Sequence, residues 1–221
     1  MQPREVIWRL QQVTRRPPST VKTGFTQGDW ADSLDGFRSG LHRPILLDRH
    51  RANAIGEAAP EFVTPLLEAA DQLVGNRFQF FGYPPVTLTA PINWHHDPLS
   101  NVSWPDTPAN RIDHRTAGGD VKWIWELNRL QHLPLLAQGW LFTDDRRYSR
   151  AAFDHLDSWI DQNPPGRGIA WRGAFEAGLR SISIAVALQG LRDAPELTIE
   201  RYRRGVEGPT VRADGGWGGG G

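Results

Sequence analysis

The chain has no cysteine, one methionine, no net charge and no apolar run of membrane-spanning length. Without cysteine there can be no disulfide, no thiol nucleophile and no thiolate-held metal, and the redox compartment stays open. Lys and Arg balance Asp and Glu at 25 each. That removes the long-range positive field by which a general nucleic-acid binder gathers its ligand, so nucleic acid is not expected as a partner. The absence of a 20-residue apolar stretch excludes a helical membrane span. The opening "MQPREVIWRLQQVTRRPPST" has charges throughout and cannot serve as a secretory leader. As written, the chain reads as cytoplasmic unless its true start lies upstream.

What is abundant is tryptophan, with ten residues. An indole offers a flat apolar face and one N–H donor. It therefore suits a sugar-binding groove or a core filled with large side chains.

The chain divides into three stretches. Residues 1–119 are expected to form N-terminal helices, short strands and a long aromatic loop. Residues 120–205 are expected to form helical hairpins, and residues 206–221, ending "VRADGGWGGGG", a flexible tail. In the first stretch, Val6, Ile7 and Leu10 at helical spacing predict a helix over 3–12, ended by Pro17-Pro18. Residues 19–56 look irregular, with a short strand at "RPILLD". A helix is expected over 57–75, with Phe62, Leu66, Leu67, Ala70 and Leu73 as its apolar stripe. A strand or hairpin follows at "NRFQFFGYPPVTLT". The second stretch predicts one helix over 121–142, kinked at Pro134, and another over 145–162 that buries Tyr148, Ala152, Leu156, Trp159 and Ile160. A third is expected over 171–191, and a shorter one near Pro195. Short connections between helices of similar length favour antiparallel neighbours.

Three segments could carry chemistry. The loop "INWHHDPLSNVSWP" places Trp94 and His95 as candidates to face a ligand. Asp97, just before Pro98, reads as a turn residue held by its own side chain. Neither adjacent histidines nor the position of His114 gives metal-ligand spacing, so no metal and no cofactor are expected. In "VKWIWELNRLQHL", Trp125, Glu126 and Arg129 lie together. An exposed pair of this kind contributes about 0.2–0.5 kcal/mol. Buried between helices, it would orient itself and leave donors for a sugar or a carboxylate. In "NPPGRGIAWRGAFEAGLR", Trp171, Glu176 and Arg180 repeat the order Trp, Glu, Arg. Trp94, Trp125, Glu126, Arg129, Trp171, Glu176 and Arg180 are expected to converge on one concavity, and His95 is a further candidate to bind substrate. Glu126 and Glu176 could be a hydrolase pair, but an arginine beside each favours the ionised form over a general acid.

These segments, with "SWIDQ" before and "SISIAVAL" after the last of them, resemble the N-terminal part of the heparinase II/III family of polysaccharide lyases. The order and spacing agree from about Trp8 to Arg192. The resemblance implies a mainly α fold: an incomplete (α/α) toroid of antiparallel helical hairpins, followed in the family by a large β-sandwich. It implies β-elimination on an acidic, uronate-containing polysaccharide, carried out by an Asn, a Tyr and a His. Those residues lie beyond the matching part, so no catalytic residue is assigned. The chain is expected to be a substrate-binding portion without its catalytic and β-sandwich portions, inactive alone and prone to associate. Ala170 stands where relatives often have Asn. The alternatives are a non-catalytic carbohydrate-binding protein and a glycoside hydrolase using Glu126 or Glu176.

Overall fold

The computed structural model describes residues 24–40, 48–80, 82–115 and 118–208. The expected helix over 3–12, nearly all of "RPILLD" and most of the Gly-rich tail lie outside them. The described chain is mainly helical. None of its helices is long and apolar enough to cross a membrane.

Where an irregular segment is expected over 19–56, there are two helices, α1 (Gln27–Arg38) and α2 (Arg49–Ala58). The Thr26 hydroxyl accepts from the Asp29 N–H, and the Asp29 carboxylate accepts from the Thr26 N–H, so α1 opens on a complete capping box. Asp48 caps α2. The helix expected from 57 begins instead at Pro60, as α3 (Pro60–Val74). Pro60 has no N–H to continue α2, but it fits a first helical turn. Its predicted stripe holds at Ala70 and Leu73, whereas Phe62 is exposed.

A hairpin of β1 (Arg77–Phe78) and β2 (Val86–Thr87) follows. The long loop is not structureless. It contains a second hairpin, β3 (His96–Asp97) with β4 (Val102–Ser103), and a 3-10 turn at Ala109–Arg111. Asp97 holds the turn as expected, its carboxylate accepting from the Leu99 N–H at 2.9 Å and from the Ser100 hydroxyl.

The single kinked helix expected over 121–142 is two helices, α4 (Val121–Asn128) and α5 (His132–Thr143). The break is at Leu130, whose φ is +56°. Pro134 does not kink anything. It sits in the first turn of α5, where an N–H would have no partner within the helix. A two-residue connection reverses the chain into α6 (Arg146–Gln162), capped by Asp145. After a 3-10 turn at Ile169–Trp171 come α7 (Ala174–Gly190) and α8 (Ile199–Glu207).

Helix α5 is central. It packs against α2, α3, α6 and α7, which explains why Leu133, Leu136, Ala137, Trp140 and Leu141 are all buried. Gly139 lets α6 approach: a Cβ there would lie 2.9 Å from the Tyr148 ring. Helix α1 packs on α8, with the Phe37 and Tyr202 rings 5.3 Å apart. On α7, Ile184 and Leu188 are buried, whereas Phe175 and Ile182 are exposed.

Candidate functional site

The candidate residues meet where α4, the 3-10 turn at Ile169–Trp171 and the start of α7 come together. Two short-range facts bring them there. Arg129 is the first residue after α4, and Glu176 lies in the first turn of α7. The Arg129 guanidinium donates from Nε to Glu176 Oε2 at 2.7 Å and from Nη2 to Oε1 at 3.1 Å, a two-point grip across the helices. Its Nη1 donates to Glu126. The surface pair expected from spacing is therefore one arm of a three-residue bridge. Its side chains are partly covered, Arg129 to 19% exposure and Glu126 to 30%. The hydrogen bond to Glu176 raises the Arg129 pKa above its ordinary value.

Arg180 lies one turn beyond Glu176 and is fully buried. It makes no hydrogen bond to Glu176. Its guanidinium lies between the rings of Trp159 and Trp171, 4.5 and 4.6 Å from their centroids. One nitrogen donates to the Asn128 and Ala170 carbonyls, at 3.2 and 3.3 Å. Its Nε and Nη2 are buried with no partner among the described residues. Burial pulls the Arg180 pKa down to about 9, against the opposing pull of Glu176, so it remains a cation at neutral pH.

The tryptophans differ in kind. Trp125 and Trp171 are half-buried at the surface of the cluster, with N–H groups donating to the Ile169 and Asn163 carbonyls. Trp94 is fully buried. Its indole N–H donates to the Ser158 hydroxyl at 3.1 Å, and its ring stacks on His132. It has no free face for a ligand and supports the cluster from inside. His95 is half-buried. Its Nε2 lies 2.9 Å from the Gln162 carbonyl, and its ring fits against Gly168, where a Cβ would approach to 3.0 Å.

Sequence reasoning missed Asn128. It is buried, donates to the Trp94 and Ile124 carbonyls and accepts from the Trp159 indole at 2.8 Å. One amide thus joins the aromatic loop, α4 and α6 beneath the Arg180 stack. The signal was present: Asn128 falls on the apolar face with Ile124 and Leu127, where a polar residue needs a buried partner.

Both glutamates accept from the same guanidinium, so their oxygens are engaged by a cation rather than turned to a leaving group. Arg129 uses three of its five N–H donors, which leaves two for a ligand. The centre of the exposed Phe175 ring lies 5.9 Å from this guanidinium, and partly buried Trp125 and Trp171 belong to the same junction. The arrangement can therefore stack a ring, donate to an oxygen and accept from a hydroxyl.

Neither a curated protein nor a solved structure matches the chain. The family model described as heparinase II/III N-terminus matches residues 51–203, which include every residue of this cluster. The chain therefore belongs to the heparinase II/III family, related to polysaccharide lyases, and aligns with its N-terminal region.

Proposed function

We propose that the α4–α7 junction is a substrate-binding wall for an acidic, uronate-containing polysaccharide, within an (α/α) toroid of the lyase type. The observation that carries this reading is the Arg129 bridge, with two donors beyond those given to Glu126 and Glu176 and the exposed Phe175 ring beside it, at a junction that also holds partly buried Trp125 and Trp171. A sugar ring stacks on an indole, a uronate carboxylate takes the free N–H groups, and Glu126 accepts from a hydroxyl. Arg180 and Trp94 act as supports rather than contacts.

Elimination needs a neutralised carboxylate, a base for the C5 proton and an acid for the leaving oxygen. The wall supplies the first. Neither glutamate on it fits the other two. Both glutamates are ion-paired. Tyr83 donates to Asp120 at 2.6 Å, and its pKa is pushed up to about 12, while Tyr148 donates to Asp71 at 2.6 Å. In this reading the array binds, and other parts of the family's architecture supply the proton transfers. Hydrolysis by Glu126 and Glu176 is disfavoured because one guanidinium holds both carboxylates.

The test is titration of the chain at low salt with acidic oligosaccharides, alongside ultraviolet absorbance for unsaturated uronate. Binding without new absorbance is expected. Arg129→Ala should weaken affinity roughly tenfold or more, the loss of one or two charge-assisted bonds of about 1.5–3 kcal/mol each. Unchanged affinity for that variant would remove the wall from the binding site. Turnover by the chain alone would overturn the division of labour.

A further inference from the structure

A cavity of about 580 Å³ lies between α3, the β1–β2 hairpin and the start of α5. This is within the usual size of small-molecule sites, about 300–1,000 Å³. It is not the α4–α7 cluster: none of that cluster's residues lines it. Gln131 and His132, just past the Leu130 break, form one wall, and α3 contributes Gln72 and Leu73 opposite.

The wall chemistry is selective. Arg77 is its one charged residue, and no carboxylate lines it. Among the described residues, the Arg77 side chain makes no hydrogen bond or ion pair, and neither do the side-chain amides of Gln72, Gln79 and Gln131. The arginines at the α4–α7 junction and on α6–α8 are committed to carboxylates or carbonyls. Here an exposed guanidinium and three exposed amides, without a protein partner among the described residues, stand around one space and are open to a ligand from solvent. Phe80, half-buried, adds an aromatic surface, and buried Phe78 closes the floor beside it. A planar guanidinium recognises a carboxylate at two points. Amides both donate and accept, as neighbouring hydroxyls require. An aromatic edge or face covers the C–H side of a sugar ring.

We propose that this cavity is a second saccharide site that takes a small sugar acid, its carboxylate on Arg77 and its hydroxyls on the glutamine amides. The proposal does not depend on the α4–α7 reading, since the two sites share no residue. The ligand can be a free sugar acid or the end of a chain. In either case the cavity selects the acid over its neutral counterpart.

Calorimetric titration of the full chain with glucuronate and with glucose tests this. Glucuronate should bind saturably, and glucose at least tenfold more weakly. Arg77→Ala should lower glucuronate affinity at least tenfold, whereas Arg203→Ala, which pairs with Glu200 on α8, should leave both sugars unchanged. Ala69→Phe, on the exposed face of α3 at the cavity wall, should fill the space and abolish both while the protein unfolds within a few degrees of wild type. A uronate-terminated tetrasaccharide that binds wild type but not Arg77→Ala also supports the proposal, with a chain end as the ligand. Glucuronate affinity that survives both Arg77→Ala and Ala69→Phe overturns it. So does a wild-type chain that shows no saturable glucuronate binding.

Discussion

Two buried glutamates in this molecule are each held by arginine from a neighbouring segment, but their surroundings differ. Glu196, between α7 and α8, accepts from Arg146 at 2.8 Å, from Ser149 at 2.7 Å and from Arg150 at 3.4 Å. The two arginines around it are more than half exposed. The same flank continues through Arg201 to Asp154 and Asp157, and through Arg204 to Asp157 and Asp161, so its charges are matched and its cations reach water. Glu176 is equally buried and is gripped at both oxygens by Arg129, but Arg180, one turn away, is sealed between two indoles with two of its nitrogens unpartnered among the described residues. His132 Nε2 and His155 Nδ1 are also buried without partners among the described residues. A satisfied cluster fastens. A cluster with donors and acceptors left over fastens less well, and it retains polar groups that a bound water or ligand can use.

The largest expected effect is at Arg180. Arg180→Ala empties the space between Trp159 and Trp171 and should lower stability by about 3 kcal/mol or more. Arg180→Met keeps apolar volume and removes the unpartnered N–H groups, so it should recover much of that loss. Denaturant unfolding of the two variants checks this. Equal losses would mean that the leftover donors are satisfied and that the contrast with Glu196 is false.

Acid should come next. Burial pulls the His155 pKa down to about 4 and that of His132 well below its ordinary value of 6.5. Between pH 6.5 and 4 the unfolded chain takes up protons that the folded chain refuses, so stability falls as pH falls through this window. For His155 alone the loss is roughly 3 kcal/mol by pH 4. The Glu196 cluster behaves differently. Burial pushes its carboxyl up, but the Ser149 and Arg146 bonds together outweigh that and hold it below the ordinary 4.5. Its contribution is thus present above pH 4.5 and is lost only as pH falls below that value. A stability profile flat from pH 6.5 to 4.5 would contradict the buried neutral histidines.

Smaller effects belong to the satisfied flank. Glu196→Gln should cost about 1–2 kcal/mol, less than a fully buried ion would, because its arginines are solvated. Arg150→Ala should cost less than about 1 kcal/mol and lose even that at high salt. Thermal unfolding at two salt concentrations separates the two.

The longer helices were legible because their buried faces repeat at helical spacing, as Tyr148, Ala152, Leu156 and Trp159 do on α6. Helix α1 was overlooked. Gly28, Asp32, Asp35 and Gly36 dilute its pattern, although Thr26 and Asp29 carried a capping signal. Glu126 with Arg129 could be read from spacing alone. The grip of Arg129 on Glu176 could not, because it depends on how α4 meets α7. Trp94 was placed at a ligand because it sits in a polar loop. It is buried because Ser158 and Asn128 satisfy its indole N–H and its carbonyl, and both partners are remote in sequence. Pro134 misled for a local reason: proline breaks helix interiors but is tolerated in a first turn, and nothing nearby indicated which position it held.

The break at Leu130 also governs which changes in chain length the protein can survive. Its side chain is wholly buried while its backbone is left-handed, a conformation that costs a leucine about 1–2 kcal/mol. Helix α5, which follows, is enclosed on nearly every side. One residue added or removed between Asn128 and His132 would turn α5 about 100° on its axis. That turn would carry Leu133, Leu136 and Trp140 out of four packing surfaces at once and swing Gly139 away from the Tyr148 ring. A surface loop absorbs such a length change, but this junction cannot. Across natural variants of this sequence, the segment 129–131 should therefore keep its length even where its residues differ.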